Sequence, residues 1–417
     1  MSVRRLGFGL SRQVWIVEIG VFLNMLGYGA VLPFEIIYLH DGRGFDLGVA
    51  GLVVGLVTGI AVVASPIAGA AIDRIGARAT AGAGGLALAA GYGSLAFAES
   101  QPTAFAAATL AGIGNGALAP SQSALMTTLA PRELRHRASA VSRVAVNVGI
   151  GLGGAIGGLV AGFGLRGFIA LLLANAATYV VYVAILIATV REEVRVPSTG
   201  GYRRVLRDRA FVQFAVTNIA LIAVGWGVLA WIVPPFADDL GIAPGLIGLL
   251  FLANAATVVL AQVPIVKAVE GRSRVGALVL GAAAWVGACL LAVLAQGAEP
   301  TVAYGCLIAA AIAFGLGECL HATVLLPLVA DFAPLELRGR YMASIGLSWW
   351  LGLALAPILG APLLAVSASL AFLVAAALSG LAILSLLALG ARLPLGLRLI
   401  PRPQTAPVPR PLLRSGE

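Results

Sequence analysis

The sequence predicts an all-α, polytopic membrane protein with twelve transmembrane helices in two pseudo-symmetric six-helix bundles and both termini in the cytoplasm. Three observations carry that prediction. Composition fixes the solvent: 60% of the 417 residues are hydrophobic and 11% charged, with a mean hydropathy of +1.00, whereas a soluble domain carries about 25% charge. A repeat fixes the symmetry: "APRELRHR" at 130–137 and "APLELRGR" at 333–340 agree at six of eight places, 203 residues apart. The same offset lays "GIGN" (Gly112 to Asn115) on "GLGE" (Gly315 to Glu318), as duplication of one half of the chain would. Charge fixes the orientation: with the N-terminus inside, 24 of the 27 Lys and Arg lie on the inner side, Arg43 and Arg166 outside and Arg143 within a span, the asymmetry of the positive-inside rule.

A span needs about 20 apolar residues. Twelve such stretches follow in order: 13–40, 48–71, 80–98, 103–129, 139–164, 168–190, 211–237, 244–269, 275–296, 301–330, 340–365 and 367–390. The first follows Met1 to Arg5 and continues past Pro33 at full span length, so it reads as an uncleaved helix. The central segment, "REEVRVPSTGGYRRVLRDR", combines charge with Pro, Ser and Gly, as a linker does. The expected organisation is therefore a bundle at 1–190, a cytoplasmic linker at 191–210, a second bundle at 211–390 and an Arg- and Pro-rich tail at 391–417 lying against anionic headgroups.

Several functions are excluded by what the sequence lacks. The only lysine, Lys267, follows Val266 rather than Gly, so no phosphate-cradling loop for ATP is present. His40, His136 and His321 are scattered, and Cys289, Cys306 and Cys319 all fall in spans, so neither a metal site, a disulfide framework nor a cofactor is expected. No catalytic Ser elbow or H-E-x-x-H occurs. The basic pI of 10.1 reflects inner-side placement, not nucleic-acid binding. Work done by a chain of this kind draws on ion or substrate gradients, and an enzymatic activity is not expected.

Between spans 2 and 3 the sequence reads "GAAIDRIGAR". Here Gly69, Asp73, Arg74, Gly76 and Arg78 stand where the major facilitator superfamily carries its G-x-x-x-D-R-x-G-x-[RK] signature, and with twelve spans and an internal duplication the chain resembles that family along its whole length. The resemblance implies that Asp73 pins the first half to the start of helix 11, just after Arg340, closing an inner gate. The copy in the second half, "VPIVKAVEGRSR", has no Asp, which would leave the lock one-sided. Span 5 carries Gly149, Gly153 and Gly157 every four residues, a small-residue face that permits close helix approach. With Gly158 it is similar to the antiporter-type motif of the family, except that Gly154 replaces the usual Pro; Pro357 is the repeat partner of Gly154. The Arg that many members place in helix 4 is absent, Ala108 standing there. The resemblance also makes helices 1, 4, 7 and 10 cavity-lining, so Asn24, Tyr28, Asn115, Trp226 and Trp231 are candidates to face a substrate, and an apolar, aromatic cavity suits lipophilic compounds.

Charges inside spans call for a reason, since a buried carboxylate costs on the order of 3 kcal/mol on insertion scales. Glu318, 13 residues before Asp331, lies some 20 Å from the inner boundary at about 1.5 Å per residue. That is near the midplane, where an acid can bind and release a proton, and Asn115 is its neutral repeat partner. His321, one turn on, is placed to relay the proton. The alternative for both is a structural hydrogen bond to a neighbouring helix. Glu35 lies close to the outer surface beside Pro33, a candidate outer gate and second proton-coupling residue. Glu18 and Arg143 lie at equal depth from the inner side and are expected to pair as a strut.

These readings converge on a monomeric secondary transporter of the bacterial inner membrane, most similar to the twelve-helix drug:proton antiporters, with protons and a small molecule as its partners. A proton-coupled importer or a uniporter of a small metabolite is the alternative.

Overall fold

The computed structural model describes residues 10–129, 135–190, 203–334 and 337–400. Twelve long helical stretches account for nearly all of them: α1 (Arg12–Gly42), α2 (Leu47–Ile75), α3 (Ala77–Leu95), α4 (Gln101–Leu129), α5 (Arg135–Ala161), α6 (Leu165–Thr189), α7 (Arg209–Asp239), α8 (Pro244–Val269), α9 (Arg274–Ala295), α10 (Pro300–Phe332), α11 (Arg338–Val366) and α12 (Ala368–Arg392). Among the described residues ten helices are long and apolar enough to cross a membrane. The two that fall short, α3 and α4, are diluted by Gly, Ser, Thr and Gln, which pack tightly between neighbours but lower hydropathy.

Helix starts follow local chemistry. Ser11, Asp46, Asp208, Ser273 and Ser367 each accept a hydrogen bond from a backbone N–H of the first turn, satisfying donors that the helix itself leaves open. Pro opens α8 and α10, where its missing N–H costs nothing. At the α2–α3 turn Gly76 holds φ at +95°, a conformation that disfavours a side chain.

Consecutive helices run antiparallel, so one end of the molecule, here the terminal end, carries residue 10, the α6–α7 connection and residue 400; the far end carries the α1–α2 and α7–α8 turns. Helices α1 and α3–α6 pack mainly among themselves, as do α9, α10 and α12. Of the expected linker, residues 191–202 lie outside the described part, and residues 205–207 form a single 3-10 turn ahead of α7. Of the expected tail, residues 401–417 lie outside it as well. The part that is described folds back: Ile400 accepts from the Gly271 N–H and donates to the Arg272 carbonyl, both in the α8–α9 turn.

Two helices are irregular, and both irregularities matter for the site. In α1 the α-helix Arg12–Val31 gives way to a 3-10 turn at Leu32–Phe34, a short α segment and a π turn at Tyr38–Gly42. Pro33, which lacks an N–H, sits at that break. In α7 a π-helix runs over Ala223–Ile232, immediately before Pro234 and Pro235. π segments are rare and frequent at functional sites.

Candidate functional site

The two halves meet in close contact at the far end. On one flank α5 crosses α8: a Cβ on Gly158 would strike the backbone of Pro244, and one on Gly154 the Phe251 side chain. On the other flank Gly51 and Gly55 of α2 lie against Pro357, Ala361 and Ile358 of α11. Gly149, Gly153 and Gly157 turn the other way, onto α1 at Met25, Leu26 and Ala30 within the same half. The glycine face read from the sequence therefore serves two partners. Its four-residue stripe builds the first bundle, whereas Gly154 and Gly158 form the seam with the second.

Between these flanks α1 and α7 close on each other. The Glu35 carboxyl is 4% exposed. Tyr92 of α3 donates to its Oε1 at 3.0 Å and Trp231 of α7 to its Oε2 at 3.3 Å. Tyr92 stacks on Tyr179 with ring centroids 6.0 Å apart and planes at 8°, and Tyr28 lies within electrostatic reach of Glu35 and Tyr179. Glu35 is thus the buried polar tie across the far end, and nearer the surface Asp41 of α1 hydrogen-bonds Asp238 of α7.

On the terminal side of that closure lies a cavity of about 330 Å³. The first half contributes Arg143, Val146 and Asn147 of α5; the second contributes Trp226 of α7, Glu318, His321 and Leu325 of α10, and Trp349 of α11. Asn147 donates to the Arg143 carbonyl at 3.0 Å, holding this stretch of α5. Trp226 and Trp349 meet with centroids 5.3 Å apart. Glu318 faces Arg143 across the space and interacts with it electrostatically without closing to an ion pair. His321 is held from behind: its Nε2 donates to Asn218 Oδ1 at 2.7 Å, Asn218 Nδ2 to Ser348 Oγ at 2.8 Å, and Ser348 Oγ to the Ile345 carbonyl at 2.7 Å. That chain fixes the Nε2–H tautomer and leaves Nδ1 as an acceptor.

The structure corrects the pairing of Glu18 with Arg143. Ser142, one residue earlier on α5, is the polar neighbour of the Glu18 carboxyl, whose oxygens are both buried and without a well-formed hydrogen bond. Equal depth does not mean equal face: one residue along α5 turns the side chain by about 100°, which carries Arg143 into the cavity. Three of the candidate cavity residues also stand elsewhere. Asn24 is buried inside the first half, Trp231 belongs to the far-end closure, and Tyr28 lies beside Glu35. Asn115 is half-buried on α4 and not among the cavity-lining side chains. Trp226 does line it. Arg143, Asn147 and Trp349 are the cavity residues that sequence reasoning did not place there. The signal for Arg143 was its charge within a span, which marks a polar cavity as readily as a buried pair.

In the signature loop Arg78 donates to the Ile187 carbonyl of α6 at 2.9 Å, Gly76 makes the turn, and Gly69 has open space where a side chain would sit. Arg74 is exposed. The side chain of Asp73 lies outside the described residues, as do those of Arg135, Arg137 and Arg338 in the repeated loops. Among the described residues no group of three His, Cys, Asp or Glu is arranged to hold a metal ion.

Helices packed around a cavity with Arg143 on one side and Glu318 and His321 on the other have the arrangement of a multi-pass membrane transporter. A family model for the Major Facilitator Superfamily matches residues 17–230 and 215–415, and the chain belongs to that family. It is 29% identical over 262 residues to the uncharacterized MFS-type transporter YttB of Bacillus subtilis (strain 168), a match covering 61% of this chain and 64% of the relative. It is 28% identical over 341 residues to multidrug resistance protein MdtH of Edwardsiella ictaluri (strain 93-146), covering 80% and 82%. Among solved structures, peptide transporter POT in complex with sulfate superposes with a TM-score of 0.74 at 17% identity, covering 94% of this chain and 97% of that one. Nucleoside transporter NupG gives 0.70 at 14%, covering 91% and 99%. At such identities the likeness is one of fold.

Proposed function

We propose that the protein is a proton-coupled exporter of lipophilic small molecules working by alternating access across the bacterial inner membrane, with the terminal end cytoplasmic. The observation that carries this reading is the opposition of Arg143 and Glu318 across a cavity walled by Trp226 and Trp349, below a closed far end. Glu318 is the proton carrier, with His321 as its relay partner and Arg143 as the fixed charge that compensates the acid once its proton has left. The aromatic pair supplies apolar contact area for a substrate, and the weak similarity to MdtH supports efflux as the direction. Twelve spans, a monomeric state, lipid headgroups as the only surface partner and an inner lock at Asp73 belong to the same reading.

In the cycle, substrate enters from the terminal side while Glu318 is ionised. Rocking of one half against the other opens the far end, where substrate leaves and a proton binds. A proton moving through about 150 mV supplies ~3.5 kcal/mol, enough for a several-hundred-fold gradient. The test is flux in everted vesicles with a panel of lipophilic cations and neutral compounds: uphill accumulation accompanied by proton release supports export, and accumulation insensitive to the proton gradient refutes it.

Arg143 also favours a second reading. A fixed cation repels cationic substrates and attracts a carboxylate, and an anion that takes Arg143 from Glu318 favours proton uptake, which is symport. In the same vesicles symport of an anion runs in the opposite sense relative to the proton, so one measurement separates the two.

A further inference from the structure

Glu18 is 2% exposed inside the first half; Ser142 lies beside its carboxyl, but neither oxygen has a well-formed hydrogen bond. An isolated buried carboxylate is costly, and its surroundings deepen the problem. Eight of the nine fully buried, unpartnered side-chain polar atoms among the described residues belong to Glu18, Gln122, Tyr182, Asn24 and Asn175. Tyr182, Asn24 and Asn175 are each 0% exposed. These residues are not scattered. Gly20 of α1 packs on the Tyr182 ring, and Gly27 packs on Thr178 and Asn175 of α6, which sets the antiparallel register of α1 and α6. It places Tyr182 just beyond Glu18 from the terminal end, Tyr179 level with Asn24, and Asn175 level with Tyr28 on the side toward Glu35. The file spans 17 residues of α1, about 25 Å at ~1.5 Å per residue.

Each unpartnered buried polar atom costs about 1–3 kcal/mol, and water is the partner that satisfies donors and acceptors alike. Water placed there would accept from the Tyr182 hydroxyl and the Gln122 amide and donate to Glu18, and the two asparagine amides would offer it both a donor and an acceptor. No charge interrupts the line. The groups facing Glu18 are Ser142 from α5 and Tyr182 from α6, with Gln122 of α4 behind Tyr182. Those facing Glu35 are Tyr28, Tyr92, Tyr179 and Trp231. None of the file's residues lines the cavity of Glu318.

We propose that this file is a hydrated proton path inside the first half, carrying protons between Glu18 at the terminal end and Glu35 at the far-end closure, separate from the central cavity. Its use in a transport cycle rests on the proton-coupled reading above, whereas its existence does not depend on Glu318. Through it the acid that ties the far end shut exchanges protons with the terminal side while that end is closed.

The test uses the full chain in lipid nanodiscs and infrared spectroscopy after transfer to D₂O. The carbonyl band of protonated Glu35, assigned by its loss in Glu35→Gln, shifts as its proton is exchanged. Asn24→Leu and Asn175→Leu are expected to slow that shift by about tenfold or more, the effect of ~1.4 kcal/mol on a barrier, while the band assigned with Glu318→Gln keeps its rate. Should the leucine variants not fold, Tyr182→Phe, which removes only a hydroxyl, is expected to slow the same shift. Exchange at Glu35 at the parental rate in folded variants overturns the path. So does the absence of any protonated-carboxyl band from Glu18 and Glu35 from acid to alkaline pH. Because the readout is exchange in the resting protein, the outcome is separate from that of the flux assays on Glu318.

Discussion

Trp231 donates to Glu35 across 196 positions of sequence, at 3.3 Å, and so joins α7 of the second half to α1 of the first. Removing that N–H with Trp231→Phe keeps an aromatic ring and deletes one buried hydrogen bond, a loss of about 1 kcal/mol. The balance between closed and open far ends is expected to move roughly fivefold toward open. Spin labels on the far ends of α1 and α7 report it; a distance distribution identical to the parental one would mean that the bond does not hold the closure.

Glu318→Gln keeps the shape of the side chain and removes its titration. Proton-driven flux is expected to fall to background while cavity binding, followed by quenching of Trp226 and Trp349, is retained. Coupled transport at the parental rate would remove Glu318 as the carrier.

Arg143 couples to Glu318 and not to Glu18. In double-mutant cycles on thermal stability, Arg143→Gln with Glu318→Gln should show an interaction of about 0.5–3 kcal/mol, and Arg143→Gln with Glu18→Gln should be additive within about 0.5 kcal/mol. The reverse pattern would restore the strut between Glu18 and Arg143.

The two glycine faces of α5 predict different failures. Gly157→Leu drives a side chain into the Ala30 backbone of α1 and should destabilise the protein by about 1–3 kcal/mol. Gly158→Leu meets Pro244 of α8, where the halves can part. It should leave the melting temperature nearer the parental value and shift the far end open. Equal melting losses without a change in far-end distances would contradict the division of roles.

Much of this was readable in the sequence because bilayer physics acts on depth. Counting residues from Asp331 located Glu318, and Pro33 marked the break in α1 beside Glu35. Depth says nothing about azimuth, which is why Arg143 was matched to Glu18 instead of the cavity. Local helix type hid more. The resemblance groups Trp226 with Trp231 because helix 7 lines the cavity in the family, whereas they sit in a π-helix and stand on different levels, so one lines the cavity and the other ties the far end. Asn24 carries no sequence signal that separates an interior amide from a cavity amide; only the register with α6, set by Gly20 and Gly27, resolves it.

The seams at the far end are built from glycine, alanine, proline and aliphatic surface, with Gly154 against Phe251 and Gly51 against Pro357. Parting them strands no hydrogen-bonding group, but the opened cleft admits water, so each Å² of apolar seam exposed costs about 25 cal/mol. Resistance to separation along the flanks therefore scales with the apolar seam, and its polar share lies at two contacts, Glu35 with Trp231 and Asp41 with Asp238. A molecule arranged this way behaves like a door held by its seal and by two catches, so protonation of those acids tunes an opening whose baseline cost is set by the seal.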